Sequence, residues 1–316
     1  MRHLRLLAWL GILCALSSCV VQSERTLPSP AEAAAPAPLS VTQVVLLGTG
    51  MPRPDPVASG PATAVTIGNK VFLFDAGPGV MRRLNAAKLP INGVTALFIT
   101  HLHSDHTLGY PDLIFTSWVM GRMVPLEAYG PPGLQRMTDH LMAAYSEDIA
   151  IRVNGYEHGV PDGYKVAVHE ITPGVVYEQD GVRVTAFRVP HGSWKESYGY
   201  RIDTRDRSIV ISGDTAYSEE LIKQAKGCDV LIHEVYPETS SRPEARTGGE
   251  FWPIYLRSFH TSDVELGKIA AAVQPKLLIM HHVVSRKETT DADFIATVHA
   301  GGFAGQVVVG HDLERY

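Results

Sequence analysis

The chain has 316 residues, 28 Lys plus Arg against 33 Asp plus Glu, and a formal net charge of −5. This balance, with no basic block beyond the first residues, lacks the electrostatic footprint of a nucleic-acid binder, so no nucleic-acid partner is expected. Cys14, Cys19 and Cys228 are the only cysteines, which excludes an internal disulfide framework in the region beyond residue 19.

Residues 1–19 read as an export signal: Arg2 and Arg5 are followed by an apolar run over 6–16 and then small residues. The run is short for a membrane-spanning helix. Leu16-Ser17-Ser18-Cys19 is similar to the lipobox of bacterial lipoproteins, so the expected location is periplasmic, with membrane contact only through a lipid on Cys19. Residues 20–40, rich in Ala, Pro and Ser, read as a linker with little to bury. The folded domain is expected over 41–316.

Strands are predicted at 41–47, 63–67 and 71–74, the last two joined by a tight turn at Gly68-Asn69. A strand over 94–100 runs into Thr100-His101-Leu102-His103-Ser104-Asp105-His106. Three imidazoles and a carboxylate within six residues, at the end of a buried strand, are the makings of a metal site suited to Zn²⁺, with Mn²⁺ or Fe²⁺ as alternatives. A helix follows over 110–120, a short strand over 126–129 and a helix over 132–146 with Leu134, Met137, Leu141 and Met142 on one face. Strands are then expected at 164–171, 182–189, 198–203 and 208–212, a helix at 218–226, and a strand at 230–234. Beyond these come a helix at 262–273, a strand at 276–280, a helix at 291–299 and a strand at 307–309. Two β-rich halves, each followed by helices, predict an α/β fold of the αββα kind, two sheets face to face with helices outside.

His191, Asp214 and His281 each follow an apolar strand, where a sandwich gathers strand ends on one edge. Strand alternation lets only one of His281 and His282 face that edge, and counting from 277 favours His281.

Phe74-Asp75-Ala76-Gly77, the His101 to His106 run with Gly109, Pro190-His191-Gly192, Ser212-Gly213-Asp214-Thr215 and Met280-His281 together resemble the metallo-β-lactamase-fold hydrolases. The resemblance implies two Zn²⁺ ions, one held by His101, His103 and His191, the other by Asp105, His106 and His281, with Asp214 between them. Leu231-Ile232-His233-Glu234 and Phe259-His260-Thr261-Ser262 look like the His-Glu and His-Ser-Thr signatures of the tRNA 3′-end nuclease branch. Carried over, His260 and Glu234 form a proton relay toward the leaving group, and Asp105 doubles as ligand and base. The lack of a long basic arm and the export signal argue against tRNA processing. Gly60-Pro61-Ala62-Thr63, Pro111-Asp112-Leu113-Ile114, His191-Gly192-Ser193-Trp194 and Cys228-Asp229-Val230-Leu231 look like the exported arylsulfatase-like subgroup of that branch.

The expected enzyme therefore hydrolyses aryl sulfate esters. Hydroxide is available to it at neutral pH because two cations lower the pKa of water, and aromatics between Tyr236 and Phe259, with Trp194, serve either as an aryl-binding wall or as packing. The alternatives are a phosphodiesterase, cyclic nucleotides included, because one geometry suits both tetrahedral centres; a lactonase; and a tethered metal-binding protein without activity. A small sulfate or phosphate ester is the expected partner, and homodimerisation is common in this branch.

Overall fold

The computed structural model describes residues 41–284 and 289–316. The expected signal peptide (1–19), with Cys19, and the expected linker (20–40) lie outside the described residues.

The first half contains β1 (Thr42–Gly48), β2 (Ala62–Ile67), β3 (Lys70–Phe74), α1 (Val80–Ala86), β4 (Val94–Phe98), α2 (Ser104–Thr107), α3 (Tyr110–Val119), β5 (Leu126–Gly130), α4 (Leu134–Ala144), α5 (Ser146–Asn154) and β6 (Val166–Glu170). Its six strands lie side by side in chain order, antiparallel from β1 to β3 and parallel from β3 to β6. The second half contains β7 (Gly174–Gln179), β8 (Val182–Arg188), β9 (Tyr198–Asp203), β10 (Ser208–Ile211), α6 (Glu219–Ala225) and β11 (Val230–Val235). It continues with α7 (Trp252–Phe259), α8 (Asp263–Val273), β12 (Leu277–Val283), α9 (Asp291–Ala300) and β13 (Gln306–Val309). Its seven strands repeat the plan, antiparallel from β7 to β10 and parallel from β10 to β13.

Alternation explains the layers. Phe72, Phe74, Ala96 and Phe98 of the first sheet share one core with Tyr200, Ile202, Ile211, Ile232 and Ile279 of the second. The intervening residues turn outward: Leu73 and Leu97 pack with Leu113 and Trp118 of α3, while Leu231, Leu278 and Met280 pack with Ile269 and Phe294. Both faces of the central strands are therefore buried, as parallel strands require, which gives the αββα sandwich.

Four of these elements, α2, α5, β7 and α7, have no counterpart in the sequence expectation. β7 went unread because only Val175-Val176-Tyr177 is apolar in it and none of its side chains is fully buried, so its apolar run is too short to mark a strand. The segment before His260 contains α7, whose Pro253 sits in the first turn, where a proline costs no hydrogen bond.

Candidate metal centre

Parallel strands deliver their C-terminal ends to one edge, where loops can gather side chains from many elements. Asp75 follows β3, His101 to His106 follow β4, His191 follows β8, Asp214 follows β10, and Glu234 and His282 lie near the ends of β11 and β12. Gly213 makes the turn before Asp214 at φ 61°, and a Cβ there would lie 2.6 Å from the Tyr198 carbonyl oxygen.

Two groups of metal-competent side chains meet at this edge: His101, His103, His191 and Asp214, and beside them Asp105, His106 and His282. Asp214 lies between them. Its Oδ1 is 3.4 Å from His106 Nε2, and its Oδ2 is 4.0 Å from His101 Nε2 and 3.5 Å from His282 Nε2.

The structure corrects one residue of the predicted set. His282, not His281, stands beside Asp105, with Nε2 3.2 Å from Oδ2. A register slip between β11 and β12 falls here, and His282 has φ 44°, so the regular alternation that favoured His281 is broken. His281 is buried apart from the group, with neither ring nitrogen hydrogen-bonded, and burial pushes its pKa down to about 3.

The surrounding hydrogen bonds orient the rings. His106 Nδ1–H donates to Asp75 Oδ2 at 2.8 Å, and His191 Nδ1–H donates to the Phe259 carbonyl at 2.7 Å. His101 Nδ1–H donates to Thr100 Oγ1 at 2.9 Å, and that hydroxyl donates on to Asp75 at 2.9 Å. Each bond fixes the tautomer and leaves an Nε2 lone pair aimed at the cluster. Asp75 thus supports two of the rings. The sequence offered the same signal for it as for the ligands, a carboxylate at a strand end, but gave it no role.

Burial lowers the pKa of His101 and His103 and brings His191 to about 4, so all three are neutral near pH 7, the form that binds metal. At Asp214, burial works the other way, yet His282 and His106 hold the carboxyl well below the usual range. At His106, burial is outweighed by Asp214 and Asp75, which hold the ring well above its ordinary value. No Lys or Arg among the described residues pairs with Asp75, Asp105 or Asp214. Inward-facing lone pairs, buried carboxylates whose only basic partners are histidines and an unbonded His106 Nε2 are the donor set of a two-zinc site.

His260 adjoins this group, with Nδ1 3.9 Å from Asp214 Oδ2 and 3.3 Å from Glu234 Oε1. Its ring is angled so that Nδ1 and Glu234 Oε2 have no aligned partner. Glu234 Oε1 accepts from the backbone N–H groups of Thr215 (3.2 Å) and Thr261 (3.0 Å). Burial pushes the Glu234 pKa up, against the pull of His260. The cap of α8 is Ser262, in a reciprocal pairing with Glu265, so His260 is not needed for capping.

A family model of the β-lactamase superfamily domain matches residues 70–283. The chain belongs to this superfamily. Among its relatives, ribonuclease Z of Mycobacterium marinum is 32% identical over 278 residues, covering 86% of this chain and 97% of that protein. The short form of human tRNase Z has the same fold, with a TM-score of 0.65 and 22% identity over 87% of this chain and 98% of that one. So does YhfI of Bacillus subtilis, with a TM-score of 0.67 and 18% identity over 87% and 98%. The superfamily member described here is a metal-dependent hydrolase.

These relatives correct two expectations. Aryl sulfate hydrolysis does not stand, because the relatives sharing most of the chain are named ribonuclease Z. The short motifs behind that reading mark a branch, and the fold does not fix the substrate. The exclusion of nucleic acid falls with it, because those names are of nucleases. Net charge sums the whole surface and says little about one edge of it.

Proposed function

We propose that this superfamily member cleaves phosphodiesters, with RNA as its substrate class. The observation that carries the reading is the His260–Glu234 pair beside Asp214, in a chain that aligns over 86% of its length with a ribonuclease Z. An alkoxide leaving group needs a proton, and this pair can supply one.

Two Zn²⁺ ions held by His101, His103 and His191 and by Asp105, His106 and His282, with Asp214 between, would lower the pKa of a water and neutralise charge on the phosphoryl oxygens. The residues then divide the work. Asp105 accepts the proton of the entering water, whose oxygen bonds to phosphorus. The P–O bond to the departing nucleoside breaks, and that oxygen takes a proton from His260. Glu234 Oε1, 3.3 Å from His260 Nδ1, orients that ring, and the two backbone N–H groups keep its carboxyl in place.

The test is hydrolysis of bis-4-nitrophenyl phosphate and of a 3′-extended tRNA transcript by the zinc-loaded chain. Both are cleaved, chelation stops both, and His260→Ala slows the RNA reaction by about 10²–10⁴-fold. Turnover of 4-nitrophenyl sulfate with neither diester touched would overturn the reading.

A further inference from the structure

The leaving-group side of the centre holds a second polar group. Tyr255 lies on α7, and its hydroxyl is 3.4 Å from Nε2 of His260, the nitrogen remote from Glu234. Among the described residues this is the only hydrogen-bond partner of that hydroxyl.

The ring of Tyr255 is held from both sides. It stacks on Trp252 (centroids 5.1 Å apart, planes 15° apart) and on Phe259 (4.5 Å, 22°). Phe259 is itself anchored to the ligand loop, edge-on to His191 at 5.0 Å and over Gly192, where a Cβ would sit 2.1 Å from the ring. This ladder leaves the hydroxyl few places to go. Burial, with Asp214, Asp105 and Glu234 pushing the same way, raises the Tyr255 pKa to about 12, so the hydroxyl keeps its proton at neutral pH and is a donor. A contact of 3.4 Å is long, and rotation about the C–O bond frees the proton for a nearer acceptor.

We propose that Tyr255 is a second hydrogen-bond donor to the departing oxygen, acting beside His260. The proposal rests on the phosphodiesterase reading. His260 transfers the proton, while Tyr255 keeps its own and donates a hydrogen bond as negative charge builds on the oxygen.

The experiment compares zinc-loaded wild type with Tyr255→Phe, which keeps the ring stack and removes only the hydroxyl. Two substrates are used: bis-4-nitrophenyl phosphate, whose phenolate leaves without help, and a dinucleoside monophosphate, whose alkoxide does not. The expected result is a loss of about fivefold to tenfold in kcat on the dinucleoside, near-unchanged kcat on the nitrophenyl diester, and unchanged KM on both. Zinc content and Tm stay as in wild type. In ¹⁵N spectra of the zinc-loaded chain the Nε2 signal of His260 moves, while those of His101 and His191 do not. Equal slowing of both substrates, no slowing of either, or an unmoved His260 signal overturns the Tyr255 role alone. A wild type inactive on both diesters overturns the phosphodiesterase reading, and the leaving-group role falls with it.

Discussion

The first half supplies His101, His103, Asp105 and His106 from one continuous segment behind β4, the loop and the short α2 after it, whereas the second supplies His191, Asp214 and His282 from the ends of three separate strands. In the first half, local sequence fixes the geometry, because four side chains on six consecutive residues meet whatever the register of their neighbours. In the second, the geometry depends on β8, β10 and β12 being paired correctly, since a one-residue slip turns each side chain away. Asp214 is where the two arrangements join, lying within 4.0 Å of a histidine from each half.

Breaking that junction has the largest expected effect. Asp214→Ala removes the carboxylate shared by both groups, and kcat on bis-4-nitrophenyl phosphate falls by about 10³-fold or more. Zinc measured by mass spectrometry drops from two per chain to one or none. Retention of two zincs with substantial activity would mean that the halves hold their ions independently.

The next test sets His282 against its neighbour. His282→Ala weakens zinc binding by about 100-fold or more, the upper end of what loss of a mere supporting partner costs. His281→Leu leaves zinc affinity and kcat unchanged, and its stability is neutral or improved, because a buried imidazole with no hydrogen bond is replaced by an apolar group. Competition with a chromophoric chelator reads the first effect and thermal unfolding the second. The opposite pattern would return the ligand to His281.

How much of the site the sequence discloses follows the same division. The loop after β4 was legible because its residues are adjacent, and the αββα layers were legible because buried strands are apolar throughout. His191 and Asp214 were found because each follows an apolar run, and Glu234 and His260 through their likeness to the signatures of the nuclease branch. His282 was not, because a bulge and a positive φ are properties of paired strands rather than of one strand's composition. Tyr255 was visible only as one of several aromatics, since nothing local says that α7 turns its hydroxyl to His260. The substrate class was misread because motifs shared across a branch fix the metal chemistry and leave the ester open.

Asp75 tests whether the first half is as self-sufficient as its spacing suggests. Its carboxylate accepts from Thr100 N at 2.8 Å and from His106 Nδ1 at 2.8 Å, so β3 braces the loop that β4 delivers. Asp75→Asn keeps the size and loses the charge that favours Nδ1–H on His106. Zinc affinity or kcat falls by about 10–100-fold. An unchanged Asp75→Asn enzyme would mean that the loop holds its own shape without β3.

The smallest effect lies at the opposite end of the second sheet. Asp229 precedes β11 and accepts from Ser208 N at 2.7 Å and Ser208 Oγ at 2.8 Å, pinning the start of β11 to the start of β10. Burial opposes ionisation, yet Lys276 and Ser208 bring its pKa down to about 2. A folded pKa below the ordinary 3.8 means that the carboxylate contributes stability above that value and loses it as pH falls toward 2. Lys276 is mostly exposed, so its pull is screened, and the Ser208 bonds leave about 1 kcal/mol. Asp229→Asn therefore lowers Tm by about 2 °C at pH 7, and the gap to wild type closes as the pH approaches 2. Zinc content is unchanged if the parallel pairing of Ile209 to Ile211 with Val230 to Ile232 sets the register alone. A fall in zinc content would show that this distant pin also aligns Asp214 with the first half.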